Sequence, residues 1–222
     1  MKIKIFSLSI LLVVAGCLSV MGQADELVSP SEKNPEAKEL VLQAIRLESA
    51  MLFVSAIDKY KEVLKLEPKD FATMNSIAGL YGNMGQPEEE AVWAQKAIDA
   101  NPKYWLGYVN LGNGLALQGK FDLAVKSYQK AAEIVPKDPL PIYSLGVVAE
   151  NQRDLKKALE FYKKSIELDP KFENGLFSAA AMHANMKQFA EAKLLLKKLL
   201  EINPDAEDAQ RMLTQIEREK PQ

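Results

Sequence analysis

The sequence predicts an all-α protein built from five stacked helix–turn–helix units and a closing helix. Three observations predict it. Pro68, Pro102, Pro136, Pro170 and Pro204 stand 34 residues apart without exception, in a chain of 222 residues with only 11 prolines. Small residues keep the same step, as Ala44, Ala78, Gly112, Gly146 and Ala180, and again as Ala56, Ala124, Ala158 and Ala192. Within one period, Leu155, Ala158, Leu159, Tyr162 and Ile166 take the i, i+3, i+4 spacing of a single helical stripe. A fixed period of this length marks units that bury their apolar faces against their neighbours. The small columns let paired helices approach, because a larger side chain would push the backbones apart.

The chain opens with a targeting segment, residues 1–22, MKIKIFSLSILLVVAGCLSVMG. Lys2 and Lys4 precede an uncharged run from Ile5 to Gly22, the layout of an export signal. Val14-Ala15-Gly16-Cys17 resembles the lipobox of bacterial lipoproteins. That resemblance implies cleavage before Cys17 and a lipid on its sulfur. Two other fates stay open: cleavage near residues 22–24, or an uncleaved anchor, since the run touches the lower length limit of a membrane span. Each leaves the lysines on the cytoplasmic side and exports everything after residue 23. Residues 23–36, QADELVSPSEKNPE, are polar, contain Pro30 and Pro35, and are expected to form a flexible tether.

The units follow as residues 37–70, 71–104, 105–138, 139–172 and 173–206. In four of the five, aromatic or large residues recur at one position, as Tyr60, Tyr128, Tyr162 and Leu196. Gly85 and Gly119 fall where the first helix must turn back into the second. Each proline of the period ends a second helix, because it lacks the amide proton needed to continue. Two departures are visible. Around Gln86-Pro87-Glu88-Glu89-Glu90-Ala91 the alanine comes one residue late, which predicts an altered helix entry. Met51 replaces the turn glycine of the first unit, which predicts a turn there that is either more tightly packed or less regular. Residues 207–222 hold Ala209, Met212, Leu213 and Ile216 on one side of a helix, suited to covering the apolar end of the stack.

The period and these columns resemble the tetratricopeptide repeat over about three quarters of the chain. FDLAVKSYQKAAEIVP and KKALEFYKKSIELDP are close to the family pattern. The resemblance implies a right-handed α-solenoid whose first helices line a concave side, where ligand peptides lie. Three inward rows follow: Val41, Asn75, Val109, Tyr143 and Phe177; Leu42, Ser76, Asn110, Ser144 and Ser178; Ile45, Gly79, Asn113, Val147 and Ala181. The family's chaperone-binding members grip a carboxylate with Lys, Arg and Asn in such rows. No Lys or Arg occurs in any of these, so that clamp is absent. Short polar groups beside aromatics suit a neutral extended segment, with amides pairing to its backbone. The candidate partner-binding residues are therefore Asn75, Val109, Asn110, Asn113, Tyr143, Ser144, Val147 and Phe177. Tyr143 and Phe177 have the alternative of packing between repeats.

Composition narrows the chemistry. A formal charge of −2 offers no basic footprint for nucleic acid. With one Cys and one His, neither a disulfide framework nor the usual Cys/His zinc site can form. His183 shares a column with Leu47, Tyr81, Leu115 and Ala149, which predicts a packed histidine and no catalyst. Glu88, Glu89 and Glu90 follow Pro87 in a first helical turn, where the helix dipole favours acids without any metal. The lysine pairs Lys156-Lys157, Lys163-Lys164 and Lys197-Lys198 are interleaved with acids, as on solvated outer faces. The expectation is a non-catalytic exported scaffold without cofactor that binds another protein and is held to the cell-envelope membrane at its N-terminus. Its layout is similar to tetratricopeptide lipoproteins of bacterial envelopes. The competing readings are a self-associating structural protein and an accessory subunit of an envelope enzyme.

Overall fold

The computed structural model describes residues 28–218, and these form twelve helices and no strand. Cys17, the export signal and the first part of the expected tether lie outside the described residues. A short α1 (Pro30–Lys33) precedes the pairs α2 (Pro35–Ser49) with α3 (Phe53–Leu66), α4 (Phe71–Asn83) with α5 (Pro87–Ala100), and α6 (Trp105–Leu117) with α7 (Phe121–Ile134). Then come α8 (Pro139–Asn151) with α9 (Leu155–Leu168), α10 (Glu173–Asn185) with α11 (Phe189–Ile202), and the single α12 (Glu207–Arg218). The second helices begin at Phe53, Pro87, Phe121, Leu155 and Phe189, which keeps the 34-residue step throughout. The chain divides into two compact units, one ending at Ile134 and one beginning at Val135.

In the first unit, Ala44, Ala56, Tyr60, Val63, Ile77 and Leu80 form the core of the first two pairs. Where α6 meets α5, two glycines set the spacing. A Cβ on Gly107 would lie 3.0 Å from the Ile98 side chain, and one on Gly114 would lie 2.7 Å from the Pro87 carbonyl oxygen. The N-terminal end of this unit is finished by residue choice. Thr73, Ile77 and Leu80 of α4 are buried, whereas their counterparts on α2 are Glu39, Gln43 and Arg46, polar residues suited to water.

Residues 28–36 differ from the expected tether. Ser29 and Ser31 are buried, and the Ser31 N–H donates to the Asp70 carboxylate at 2.6 Å. The Asn34 side-chain amide donates to Glu67 at 2.8 Å, while its oxygen caps α2 by accepting from the N–H groups of Glu36 and Ala37. Asp70 is wholly buried and also accepts the Thr73 N–H at 2.7 Å, capping α4. Burial raises its proton affinity, but the side chains of Ser29 and Ser31 and the N–H groups of Thr73 and Ser31 together outweigh that and hold the carboxyl below the usual range. A side chain thirty-nine positions away thus orders a segment whose own composition is that of a linker.

The two departures from the period are also resolved. Met51 has φ 58°, and Arg153 (64°), Lys187 (60°), Gly85 (68°) and Gly119 (74°) share that left-handed conformation. The following residue donates its N–H five positions back in every pair: Leu52 to Leu47, Gln86 to Tyr81, Lys120 to Leu115, Asp154 to Ala149 and Gln188 to His183, at 2.8–2.9 Å. The first turn is therefore as regular as the rest, and three non-glycine residues accept a strain of about 1 kcal/mol each to complete it. Nor is the alanine of α5 late. The helix starts in register, and Glu90 occupies the alanine position itself.

In the second unit Tyr162 is buried against Gly146, and its hydroxyl donates to Glu150 at 2.6 Å. Leu176, Ala180, Ala192, Leu196 and Leu199 extend the core, and Ala209 and Ile216 of α12 close it. The opposite side of α12 exposes Glu207, Asp208, Arg211 and Thr214. The closing helix is thus the first helix of a further period that ends in a polar face.

Candidate protein-binding face

Helices α2, α4 and α6 carry the inward rows of the first unit. The Asn110 side-chain amide donates to Asn75 Oδ1 at 2.9 Å and to the Asn75 carbonyl oxygen at 3.3 Å. This leaves Asn75 Nδ2 and Asn110 Oδ1, a donor and an acceptor on adjacent helices, without a partner among the described residues. Gly79 leaves the approach open, since a Cβ there would meet only Asn110 Nδ2, at 3.9 Å. Asn113 accepts from the Tyr128 hydroxyl at 2.7 Å, which fixes its amide and points its role partly inward. In the same rows on α2, Leu42 and Ile45 are 42% and 44% exposed. Val109, in contrast, is buried and offers no surface.

In the second unit the expected anchor Tyr143 is only 6% exposed. Its ring lies 5.4 Å from those of Tyr162 and Phe172, and its hydroxyl is 3.4 Å from Ser178 Oγ. Burial raises its pKa. Ser144 is buried as well, donating to the Leu140 carbonyl at 2.9 Å. Tyr143 is thus enclosed by Tyr162, Phe172 and Ser178, and Ser144 is buried with its hydroxyl turned to its own helix. Val147 and Phe177 are half-buried, Val147 against the Tyr143–Tyr162 cluster and Phe177 against the Leu176–Leu196 cluster. Of the eight candidates, Asn75 and Asn110 are joined by hydrogen bonds, Asn113 is tied to Tyr128, and Val147 and Phe177 keep some surface in the other unit.

The remaining titratable candidates sort cleanly. His183 is buried with Nδ1 2.6 Å from Gln188 Oε1, a packed and hydrogen-bonded histidine. Glu88 and Glu89 are exposed, as acids placed by the helix dipole can be, but Glu90 is buried, which the first-turn reading does not account for. The signal that could have found it was the column itself: position 90 matches Ala56, Ala124, Ala158 and Ala192.

Comparison with known proteins agrees with this geometry. Tetratricopeptide repeat family models match residues 142–172 and 175–206, and a TPR repeat model matches residues 112–152. Small glutamine-rich tetratricopeptide repeat-containing protein 2 of Mycosarcoma maydis is 28% identical over 102 residues, which is 46% of this chain and 29% of that protein. The chain therefore matches less than a third of that relative's length. A thermophilic TPR protein of Thermus thermophilus, TTC0263, superposes with a TM-score of 0.72 at 17% identity, covering 81% of this chain and 98% of that one. YrrB, another TPR protein, superposes with a TM-score of 0.52 at 23% identity, covering 82% and 95%. Helix pairs on a 34-residue step, one left-handed residue at every turn and these matches together show the tetratricopeptide solenoid fold, with residues 112–206 matched by the repeat family's own models.

Proposed function

We propose that this protein is a non-catalytic adaptor of the cell envelope that holds an uncharged, extended segment of another protein against α2, α4 and α6. The observation that carries this reading is the Asn75–Asn110 pair. Its unengaged amide hydrogen and amide oxygen match the carbonyl and N–H of a peptide backbone. Leu42 and Ile45 supply an exposed apolar neighbour in the same rows for a side chain of the segment. No lysine or arginine lies in these rows, so recognition depends little on salt. YrrB, described as having an unusual peptide-binding site, is a precedent on the same fold. Envelope location rests on the signal-like residues 1–22, with the lipid of Cys17 as the anchor.

The test is affinity capture from envelope extracts with intact protein, Asn75→Ala and Asn110→Ala, after circular dichroism shows equal helicity. Each change should weaken capture by about 1 kcal/mol, roughly fivefold in affinity. If both variants recover the same partners at wild-type yield while changes on α5 and α7 abolish recovery, the binding face is the outer one and the proposal is wrong.

A further inference from the structure

Four of the five second helices carry alanine at their fourth position, and α5 carries Glu90. Glu90 is 3% exposed, and its Oε2 has no hydrogen-bond partner among the described residues. The carboxyl fills the space over Gly82, where a Cβ would come within 2.8 Å of its carbon and Oε1 and 2.9 Å of Oε2. The residues equivalent to Gly82 are Glu48, Ala116, Glu150 and Ala184, so the column's single glycine lies beneath the single acid. The two features fit each other and neither fits the period.

Nothing nearby offsets a charge there. The helices packed against α5 are α4 and α6, and neither contains an acidic, basic or histidine residue; their titratable groups are Tyr81 and Tyr108. From α7, Tyr128 has its pKa raised by burial and further by the nearby Glu90, but its hydroxyl is already donated to Asn113. On α5 itself the other charged groups are Glu88, Glu89, Lys96 and Asp99, and Lys96 stands over the Trp93 ring at 3.7 Å. A carboxylate without a counter-ion or donor is far costlier to bury than the neutral acid. Burial accordingly holds the Glu90 carboxyl up to about 8.

We propose that Glu90 is a proton-dependent latch between α4 and α5: protonated, it seals the first turn of α5 over Gly82, and ionised, it drives that turn open toward water. The turn in question, Pro87–Ala91, also abuts Gly114 and accepts the Gln118 side-chain amide at 2.9 Å through the Pro87 carbonyl, so its opening loosens α6 as well. The direction follows from proton linkage. The closed form binds the proton more tightly than the open form, so closure is strongest below the ordinary carboxyl range near 4.5 and is lost as pH rises toward about 8. Opening becomes about tenfold easier per pH unit across that interval and then levels off.

Two measurements on the intact chain decide the matter. Carbon-13 NMR of the glutamate carboxyls should show one resonance, absent in Glu90→Gln, that titrates near neutral pH or above. Amide hydrogen exchange from pH 5 to 9, corrected for intrinsic rates, should show protection in α4 and α5 falling at least tenfold relative to α9. In Glu90→Gln, and in Glu90→Ala with the residue the other repeats carry, protection should stay level across the range. A Glu90 carboxyl that titrates with the ordinary glutamates, or a loss of protection that persists in both variants, overturns the proposal.

Discussion

Gly146→Ala tests how tightly the second unit is packed. The new methyl would stand 2.6 Å from Tyr162 Cε1, 2.7 Å from Cδ1 and 3.2 Å from the Phe161 Cβ. Carbon atoms rest at about 3.5–4.0 Å, so something must move by about 1 Å. The tyrosine ring has little freedom to do so. It is fully buried, tied to Glu150 through its hydroxyl at 2.6 Å and packed against the Tyr143 ring. Overpacking of this kind costs about 1–3 kcal/mol, while replacing a helical glycine by alanine contributes up to about 1 kcal/mol. The net expectation is a loss of about 1–2 kcal/mol in urea denaturation followed by circular dichroism. Gly79→Ala is the internal control, since its methyl meets only Asn110 Nδ2 at 3.9 Å, and it should stabilise by up to about 1 kcal/mol. Repeat five pairs Ala180 with Leu196, so adding Tyr162→Leu should recover part of the loss caused by Gly146→Ala. If Gly146→Ala stabilises as Gly79→Ala does, or if the double variant is merely additive, the packing argument is refuted.

Two further expectations follow from the N-terminal region. Asp70→Ala leaves the N–H groups of Ser31 and Thr73 without their acceptor and should cost about 2 kcal/mol, read as lost exchange protection at those amides. In the wild type the carboxyl sits below its ordinary range, so its contribution is complete above about pH 4 and disappears as pH falls through the folded-state value; unchanged protection in acid would contradict this. Cys17→Ser should shift the protein from membrane to soluble fractions, because acyl chains supply the affinity, and a mature N-terminus at Gln23 or Asp25 would sink the lipoprotein reading.

Much of the architecture was legible in spacing alone. Prolines, small columns and aromatic columns on one period place the helix pairs, their turns and the closing helix, because each feature acts within a few residues of itself. Met51, Arg153 and Lys187 mark a limit to that reading. Glycine is the easiest residue for a left-handed turn, but the turn's hydrogen bond forms equally with other residues once the packed pair holds the chain there. Residues 28–36 mark another. Their composition is that of a linker, and only the buried carboxylate of Asp70 orders them.

What the tertiary structure decided is which side chains meet water. Asn75 and Tyr143 occupy the same column, yet one remains at the surface and the other is enclosed by Phe172 and Tyr162. Glu90 has the sequence environment of a solvated first-turn acid, and the missing side chain of Gly82 on another helix admits it to the interior. Periodicity reports the direction in which a side chain leaves its own helix. Exposure depends also on the volume of the side chains opposite, and those come from segments that local spacing does not connect.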